Sequence, residues 1–362
     1  MRRALRAIAP RSHKLALVTG GAGFIGTNVA ARLAENGYRV RILDNLSRKG
    51  VDANLQWLCA TYGDRIEPAI ADIRHRPSVK AALNGVSQVY HLAAQVAVTS
   101  SLDDPLLDFS INAGGTLNLL EELRALSAPP SLLFTSTNKV YGDLDDVDLV
   151  TEHDRYVPAS PRTRDCGISE RRRIDFHSPY GCSKGAADQY VLDYARTFGL
   201  PAIVFRMSCI YGPHQFGTED QGWVAHFIIR SMEGQSITIY GDGMQVRDVL
   251  FVDDLVDAMI TAHDRIYDTA GEAFNIGGGP QRTTSLVELV NLIGTLDHRR
   301  PHLRYDAWRK ADQRYYVSDT AKFRTATGWT PHTTIQRGVC ALYDWLRSMR
   351  RPTFAAPARV AL

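Results

Sequence analysis

The sequence has few cysteines and none of the paired spacings that hold metal ions. Its five cysteines are Cys59, Cys166, Cys182, Cys209 and Cys340. Without a CxxC pair the cysteine-based zinc patterns are excluded, and we predict no metal site. Scattered cysteines are typical of reduced thiols, and we therefore predict a cytoplasmic protein.

Long apolar runs and a strong charge of one sign are also missing. No stretch has the length of a membrane span, and a net charge of +3 is too small to indicate nucleic-acid binding. Residues 1–13 contain arginines without the apolar core of a signal peptide. We predict flexible tails at 1–13 and 351–362. With 362 residues, 44% of them hydrophobic, the chain is long enough for two lobes.

What the sequence does contain is a glycine-rich turn between a short apolar strand and an amphipathic helix. The strand is predicted at 15–18 and the helix at 24–36. Gly20 would allow the tight turn, Gly23 would let backbone approach a pyrophosphate, and Gly26 would let the helix pack closely on the strand. The N–H groups at the start of the helix would then face the anion. The turn therefore predicts a dinucleotide site, and the alternative is an ordinary strand–helix turn.

The second predicted strand, at 39–43, ends in an acidic residue. Asp44 follows the glycine turn by about twenty residues, where a carboxylate bonds the ribose hydroxyls of adenosine. Its charge would repel a 2′-phosphate, so we predict NAD rather than NADP. Arg48 and Lys49 follow closely and weaken this argument.

Strand and helix patterns alternate through the first part of the chain. This order predicts an α/β fold, a doubly wound parallel sheet of the Rossmann type with right-handed crossovers. Beyond it the elements become shorter. We therefore predict an NAD-binding domain at 14–206 and a smaller, partly interleaved substrate-binding lobe at 207–350.

One long segment, 143–178, lacks a periodic pattern and is predicted to be an insertion loop. It carries Arg162, Arg164 and the run Arg171–Arg173. These arginines favour either a solvated surface or a site for an anionic substrate, and the sequence leaves both open.

Small and polar residues follow the predicted strands, at the carboxyl-terminal edge of the sheet. In an open parallel sheet the carboxyl ends of the strands line the ligand crevice. We therefore predict that the cofactor contacts the glycine turn, Asp44 and a set of residues at these strand ends. The set is Phe24, Ile25, Asn45, Asp72, Ile73, Leu92, Ala93, Ala94 and Gln95.

A tyrosine and a lysine four residues apart carry the candidate chemistry. Tyr180 and Lys184 lie one helical turn apart on one face. A free tyrosine, with a pKa of roughly 10, is a poor base at neutral pH. A cation one turn away favours the phenolate, so the spacing predicts a lowered pKa for Tyr180. Thr137, at the end of the preceding strand, could bond the same substrate hydroxyl. His91 is predicted to be a satisfied core histidine.

The sequence resembles the extended short-chain dehydrogenase/reductase family, in its nucleotide-sugar epimerase branch, over about residues 14–345. The resemblance implies that Thr137, Tyr180 and Lys184 are catalytic, that NAD stays bound to Tyr180, Lys184 and the glycine turn, and that the substrate is a nucleotide-diphosphate sugar. It also implies a homo-oligomer, a dimer or tetramer, without nucleic-acid or membrane partners. The motifs that carry it are Gly20-x2-Gly23-x2-Gly26, Asp44, Asp72-Ile73, His91-Leu-Ala-Ala94, Tyr180-x3-Lys184, Arg247-Asp-Val249 and Asn275-Ile-Gly277.

Within this branch, segments 136–143, 175–190, 215–223 and 312–314 resemble those of 2-epimerases that act on CDP-sugars. This likeness implies inversion at C2, by transient oxidation to a keto-sugar and return of hydride to the opposite face. The related dehydratases carry an Asp-Glu pair where this chain has Asn138 and Lys139, which cannot do carboxylic acid–base work. The residues implied to contact the substrate are Thr137, Asn138, Gln215, Gln221, Trp223, Arg247, Arg309 and Asp312.

Two alternatives to this reaction stay open. A UDP-sugar 4-epimerase would share nearly all of these residues. A non-catalytic NAD-binding scaffold would keep the glycine turn, but it would have no reason to keep Thr137, Tyr180 and Lys184 together.

Overall fold

The computed structural model describes residues 14–309 and 312–350, so both predicted tails lie outside the described residues. The strands are β1 (Leu15–Thr19), β2 (Arg39–Asp44), β3 (Ile66–Ile70), β4 (Gln88–His91), β5 (Ser131–Thr137), β6 (Leu149–Glu152), β7 (Arg155–Pro158), β8 (Ala202–Met207), β9 (Cys209–Tyr211), β10 (Ile237–Tyr240), β11 (Val246–Phe251), β12 (Ala273–Ile276), β13 (Thr283–Ser285), β14 (Leu303–Asp306) and β15 (Tyr315–Tyr316). The helices are α1 (Phe24–Glu35), α2 (Val51–Tyr62), α3 (Arg76–Ala82), α4 (Val98–Asp103), α5 (Pro105–Phe109), α6 (Gly115–Arg124), α7 (Pro161–Cys166), α8 (Ser178–Phe198), α9 (Trp223–Met232), α10 (Val252–Asp264), α11 (Ile266–Thr269), α12 (Leu286–Asp297), α13 (Ala321–Thr327) and α14 (Ile335–Arg350).

Seven strands form the central sheet in the order β12-β8-β5-β4-β1-β2-β3. Each neighbouring pair in it is parallel. The predicted doubly wound α/β sheet is therefore confirmed. Within the described part of the chain, no helix is long and apolar enough to cross a membrane.

The central sheet is buried on both faces. Ala16 and Val18 of β1 join a core with α1, α2 and α10, whereas Leu15 and Leu17 join a second core with α3, α6 and α8. Side chains alternate across a strand, so a strand covered on both faces needs apolar residues at every position. This explains why β1 reads as an unbroken apolar run.

A smaller lobe packs at the carboxyl ends of the central strands. Its core joins α9, β10, β11, α12 and α14. The chain then returns to the central sheet, because β12 pairs with β8 and forms the edge. The sheet therefore takes strands from both of the segments predicted from the sequence.

Segment 143–178 is ordered, which differs from the predicted loop. It forms the antiparallel hairpin β6–β7 and the short helix α7. Arg155 on the hairpin bonds Glu288 of α12, with Nε–Oε1 at 2.7 Å. The arginines that sequence analysis singled out lie away from the cleft. Arg172 pairs with Asp146, and Arg164 donates to the carbonyl of Pro158 at 3.2 Å. They fit the surface interpretation.

Residues 105–124 form three consecutive helical parts in place of one continuous helix. Pro105 starts α5, and the Asp104 side chain caps it by accepting from the Leu107 N–H at 2.9 Å. A π-helical turn, Ser110–Gly114, then leads into α6. Such turns change which side chains face the neighbouring helix. Here the turn places Asn112 against α8, where its amide donates to Ser183 Oγ at 3.0 Å.

Candidate active site

A cleft of about 700 Å³ lies between the carboxyl ends of the central strands and the smaller lobe. One side is lined by the glycine turn and the residues that follow β2, β3, β4 and β5. The other side is lined by residues from β10, β11 and the segment before α9. Ligands in this cleft therefore contact both halves of the chain.

The glycine turn has the geometry of a phosphate cradle. A Cβ on Gly20 would lie 2.7 Å from the Ala93 nitrogen, and one on Gly26 would lie 2.3 Å from the Gly20 oxygen, so both positions need glycine. Gly23 is less crowded, with a nearest atom at 3.1 Å. It caps α1 without a side-chain hydrogen bond, which leaves the N–H groups of the helix facing the cleft. An anion such as a pyrophosphate fits there.

Asp44 lies beside this cradle at the end of β2. Its carboxylate accepts from the Ala22 N–H at 3.1 Å and the Leu46 N–H at 2.9 Å. Burial raises the pKa of Asp44, and the hydrogen bonds from backbone oppose that rise. Asn45 donates to Asp72 at 3.0 Å, which joins the loops after β2 and β3. These groups suit the hydroxyls of a ribose better than a second phosphate.

Nearly all of the predicted cofactor residues reach the cleft. Gln95 does not, because its side chain is used locally. Its Nε2 donates to the Ala97 carbonyl at 2.8 Å, and its Oε1 accepts from the Ala97 N–H at 2.8 Å. The residues that line the cleft are Gly20, Gly23, Phe24, Ile25, Gly26, Asp44, Asn45, Asp72, Ile73, Leu92, Ala93 and Ala94.

Thr137, Tyr180 and Lys184 come together in the middle of the cleft. Thr137 ends β5, and the other two lie in the first two turns of α8. The Thr137 side chain lies close enough to the Tyr180 phenol to lower its pKa, and the Thr137 hydroxyl donates to Asn138 Oδ1 at 3.3 Å. Lys184 is buried, and its Nζ donates to the Thr135 carbonyl at 2.5 Å. The phenol, a hydroxyl and an ammonium thus line one small region of the cleft.

The electrostatics of this group differ from the prediction. Burial raises the pKa of Tyr180 to about 12, so the predicted lowering is wrong for the protein alone. The same burial lowers the pKa of Lys184 to about 7. Arg48 is the cation that opposes the rise at Tyr180, although its effect is smaller than that of burial. Further positive charge beside the phenol is needed for Tyr180 to act as a base near neutral pH.

Helix α8 is held in place by a buried ion pair and a hydrogen-bonded acid. Arg206 on β8 makes two bonds of 2.9 Å to Asp188, one turn after Lys184. Both side chains are almost fully buried, at 6% and 1% exposed. On the opposite side, Ser183 bonds the Asp108 carboxylate. These contacts fix the face of α8 that carries Tyr180 and Lys184.

The substrate half of the cleft is rich in cations. Arg247 is buried, and its Nη2 lies 2.7 Å from Asp312 Oδ1. Lys139 Nζ lies 3.8 Å from the same oxygen. Arg309 stacks 4.0 Å above the ring of Tyr240 and donates to a backbone carbonyl at 3.0 Å. Arg309 also lies 3.7 Å from Glu219 and 3.9 Å from Asp220, so carboxylates partly neutralise these cations. The guanidinium and ammonium groups still offer donors to an anion.

The remaining predicted substrate residues also line the cleft. Asn138 donates to Gln313 at 3.1 Å, and Gln215 donates to the Ile210 carbonyl at 3.2 Å. Gln221 accepts from Arg48, which connects the smaller lobe to the loop after β2. Trp223 begins α9 and packs on Phe227 with ring centroids 5.7 Å apart, so it serves both core and cleft.

Sequence analysis named Lys139 only as a departure from the dehydratase pair, and it did not name Tyr240 or Gln245. All three line the cleft. Lys139 follows Thr137 closely, and this proximity was the available signal. Tyr240 and Gln245 flank a glycine-bearing turn between two strands, which gave no specific signal. His91 is the expected core histidine, bonding Thr19 at 2.7 Å and Thr116 at 3.0 Å, and burial lowers its pKa to about 3.

The doubly wound sheet, the glycine cradle and the Thr-Tyr-Lys group define a class, the nucleotide-dependent α/β enzymes that act on hydroxyl groups. Within that class the chain belongs to the NAD dependent epimerase/dehydratase family, which matches residues 16–277. NAD is the cofactor of this family. The N–H groups at the start of α1, next to Gly23, suit its pyrophosphate, and the carboxylate of Asp44 suits its ribose hydroxyls.

Individual relatives are nucleotide-sugar enzymes. CDP-paratose 2-epimerase of Salmonella typhi is 43% identical over 343 residues, which are 92% of this chain and 99% of that protein. UDP-glucuronic acid 4-epimerase from Bacillus cereus, solved with UDP-glucuronic acid and NAD, superposes with a TM-score of 0.80 at 25% identity, covering 92% of this chain and 99% of that one. UDP-glucose 4-epimerase from Thermus thermophilus, solved with NAD, gives 0.76 at 29% identity over 92% and 99%.

Proposed function

We propose that this protein is an NAD-dependent epimerase that inverts C2 of a CDP-sugar, of the CDP-paratose/CDP-tyvelose or CDP-glucose type. The observation that carries the proposal is the 43% identity to a CDP-paratose 2-epimerase across 92% of the chain. The position of Lys139 beside the cleft supports it, because the Asp-Glu pair of the dehydratases is absent. A UDP-sugar 4-epimerase is the second candidate, favoured by the superposition on 4-epimerases.

In this proposal Tyr180 moves the proton of the reacting hydroxyl. When bound, NAD supplies the hydride acceptor, and its reduced form the donor, for the carbinol carbon. Thr137 lies close enough to the phenol of Tyr180 to lower its pKa, so a substrate oxygen placed between them would contact both. Lys184 would hold the cofactor side of the site, and Arg48 adds positive charge near the phenol. The positive charge of oxidised NAD acts in the same direction.

The smaller lobe binds the rest of the substrate. Arg247 and Arg309 would bond the diphosphate, because a guanidinium offers several parallel donors to phosphate oxygens. Asp312 would accept from the ribose hydroxyls of the nucleotide. Asn138, Gln215, Gln221 and Trp223 line the cleft and would surround the sugar. That arrangement would anchor the nucleotide while the keto-sugar rotates to present its opposite face.

An isotope experiment tests the reaction. CDP-paratose deuterated at C2 should keep its label through inversion in ordinary water, because a transferred hydride does not exchange with solvent. The product is followed by NMR, and the same substrate labelled at C4 is the control. That control should show neither loss of label nor a primary isotope effect. Loss of label from C2 contradicts direct oxidation, and an isotope effect confined to C4 supports the 4-epimerase.

We also propose a homo-oligomer and a cytoplasmic location. The support for the first is the resemblance to the family, in which helices that cover the sheet pair between subunits. The support for the second is that the five cysteines are free thiols. Sedimentation of the purified protein tests the oligomer directly.

A further inference from the structure

Four buried side-chain oxygens of the cleft lack a hydrogen-bond partner within the described part of the chain. They are Thr99 Oγ1, Ser136 Oγ, Gln215 Oε1 and Gln245 Oε1, and each of these residues lines the cleft. The two hydroxyls can rotate to donate as well as accept, but an amide oxygen can only accept. A buried acceptor without a partner costs free energy, so the two glutamines call for donors from a ligand.

Gln245 has the more firmly held amide of the two glutamines. Its Nε2 donates to the Tyr240 carbonyl at 2.8 Å, whereas Gln215 makes a longer bond of 3.2 Å to the Ile210 carbonyl. A carbonyl only accepts, so the amide nitrogen of Gln245 must face it and the oxygen must lie on the other side of the amide. Only 3% of the residue is exposed, so little water reaches that oxygen. A ligand in the cleft can supply the missing donor.

The contacts of Gln245 also indicate which part of a substrate lies beside it. Arg247, two residues further on, bonds Asp312, whose carboxylate lies 3.8 Å from Lys139 in the turn after β5. Gln245 instead bonds the carbonyl of Tyr240 on β10. In the proposed function the sugar lies at the end of β5 and Arg247 holds the diphosphate. The nucleoside, on the other side of the diphosphate, then lies beside β10 and Gln245.

The smaller lobe lines this side of the cleft with side chains that suit a flat ring. Phe227, Tyr240 and Leu286 lie in the wall. Apolar and aromatic surfaces hold any pyrimidine, so discrimination between bases requires a polar group with a fixed orientation. The oxygen of Gln245 is an acceptor and matches the 4-amino group of cytosine. In uracil or thymine it would face the 4-oxygen, which is also an acceptor.

We propose that Gln245 accepts a hydrogen bond from the 4-amino group of a cytosine base and thereby selects cytidine over uridine nucleotides. This inference rests on the proposed function and makes Gln245 a specificity-determining residue. A purely structural role, in which Gln245 only ties the turn before β11 to Tyr240, is the alternative that the experiment must exclude. In that role the loss of Gln245 would weaken the binding of all pyrimidine nucleotides equally.

Nucleotides that differ only at position 4 of the base separate these two roles. CDP is compared with pyrimidin-2-one riboside diphosphate, which is CDP without the 4-amino group, by calorimetry on the purified protein with its NAD. The wild type should bind CDP roughly 10-fold more tightly than the analogue, since the analogue leaves a buried acceptor unpaired. Gln245→Leu removes that acceptor, so the ratio of the two affinities should fall to about one.

Gln215→Leu is the matched control for this substitution. Gln215 is also buried, has no partner at Oε1 within the described residues, and bonds a backbone carbonyl through its nitrogen. The control variant should keep the ratio between CDP and the analogue, even where both affinities fall. UDP gives a second readout, because the wild type should bind it more weakly than CDP and Gln245→Leu should narrow that difference.

Three results would overturn the role of Gln245. The first is equal binding of CDP and the analogue by the wild type, a measurement that needs no variant. The second is an unchanged ratio in Gln245→Leu, which leaves only the structural role. The third is a preference for CDP over 2′-deoxy-CDP that disappears in Gln245→Leu while the ratio at position 4 is kept, because the oxygen would then bind a ribose hydroxyl. Thermal melting and NAD content check folding, and Gln245→Met replaces the Leu variant if that one fails to fold.

The labelled CDP-sugar tests the proposed function separately. If C2 inverts with its label retained but the base ratio fails, the reaction stands and only the role of Gln245 is wrong. If Gln245→Leu removes the preference for CDP while the isotope effect appears at C4, the role of Gln245 stands and the proposed reaction is wrong.

Discussion

At the scale of single residues, Tyr180 shows how strongly its surroundings set its chemistry. Burial raises its pKa to about 12 in the protein alone, so this phenol holds its proton until a cation arrives. Oxidised NAD would supply that charge in the proposed reaction. Proton transfer would then be linked to the presence of the oxidised cofactor, which prevents a reactive phenolate from forming in its absence.

Substitution of Tyr180 tests this role. Tyr180→Phe keeps the ring for packing and removes the proton acceptor, so turnover should fall by roughly 10²–10⁴-fold. NAD should remain bound, as measured in acid extracts of the purified variant. Thr137→Ser, which keeps a hydroxyl, serves as the control and should retain most activity. Near-normal turnover of Tyr180→Phe would show that another group moves the proton.

The positions of these residues could be predicted from the sequence, but their ionisation could not. The spacing of Tyr180 and Lys184 places them on one helix face, and Thr137 stands at a strand end, so local rules suffice. The pKa of Tyr180 depends instead on how completely distant segments cover it. Lys184 illustrates the same limit, because its ammonium donates to the Thr135 carbonyl rather than facing the phenol alone.

At the scale of elements, the contact between α8 and β8 decides how firmly the site is held. The pair Arg206–Asp188 is buried on both sides, at 6% and 1% exposed. Removing one partner of such a pair leaves an uncompensated charge in the core. The same helix carries Tyr180 and Lys184, so a shift of α8 would move them as well.

A double-mutant cycle measures this contact. Arg206→Met should lower the free energy of unfolding by about 3–5 kcal/mol, the cost typical of an unpaired buried charge. Asp188→Leu combined with Arg206→Met should recover much of that loss, because neither charge remains. Urea unfolding of the wild type, both single variants and the double variant gives the four values. A double variant that loses the sum of both single effects would argue against coupling.

There is a physical reason why the strands and the helix of segment 143–178 were not predicted from the sequence. The hairpin β6–β7 is exposed along one side and has little apolar alternation. It is held by residues far along the chain, such as Glu288 of α12 bonding Arg155. The local pattern of apolar and polar residues does not predict such long-range contacts. By contrast, β1 and α1 were predictable because burial on the central sheet imposes a pattern on each of them separately.

At the scale of the whole molecule, the two sides of the cleft differ in the ligand that we propose each side anchors. The glycine turn and Asp44 belong to the central sheet, whereas Arg309 and Tyr240 belong to the smaller lobe. Damage to one side should therefore leave binding on the other side intact.

Arg309→Ala tests this division. It should weaken CDP binding while leaving the NAD content unchanged, because Arg309 stacks on Tyr240 far from the glycine turn. A ligand at about 100 times its Kd stabilises a protein by ~2.7 kcal/mol. The shift in melting temperature caused by CDP should therefore shrink in the variant when CDP concentration is matched to the wild type. Arg309→Lys is the control that keeps the charge. Loss of NAD from Arg309→Ala, with CDP binding intact, would assign Arg309 to the wrong ligand.

The edge strand β12 also affects how the chain is made. During synthesis β8 leaves the ribosome well before β12, because α9, β10, β11 and α10 lie between them in the chain. During that interval β8 has an unpaired edge, the feature through which chains pair with one another and aggregate. We therefore expect the nascent NAD-binding sheet to be complete only after residue 276 has left the exit tunnel. A fragment that stops after β8 would carry every residue of the glycine turn, but its sheet would still lack the edge strand β12.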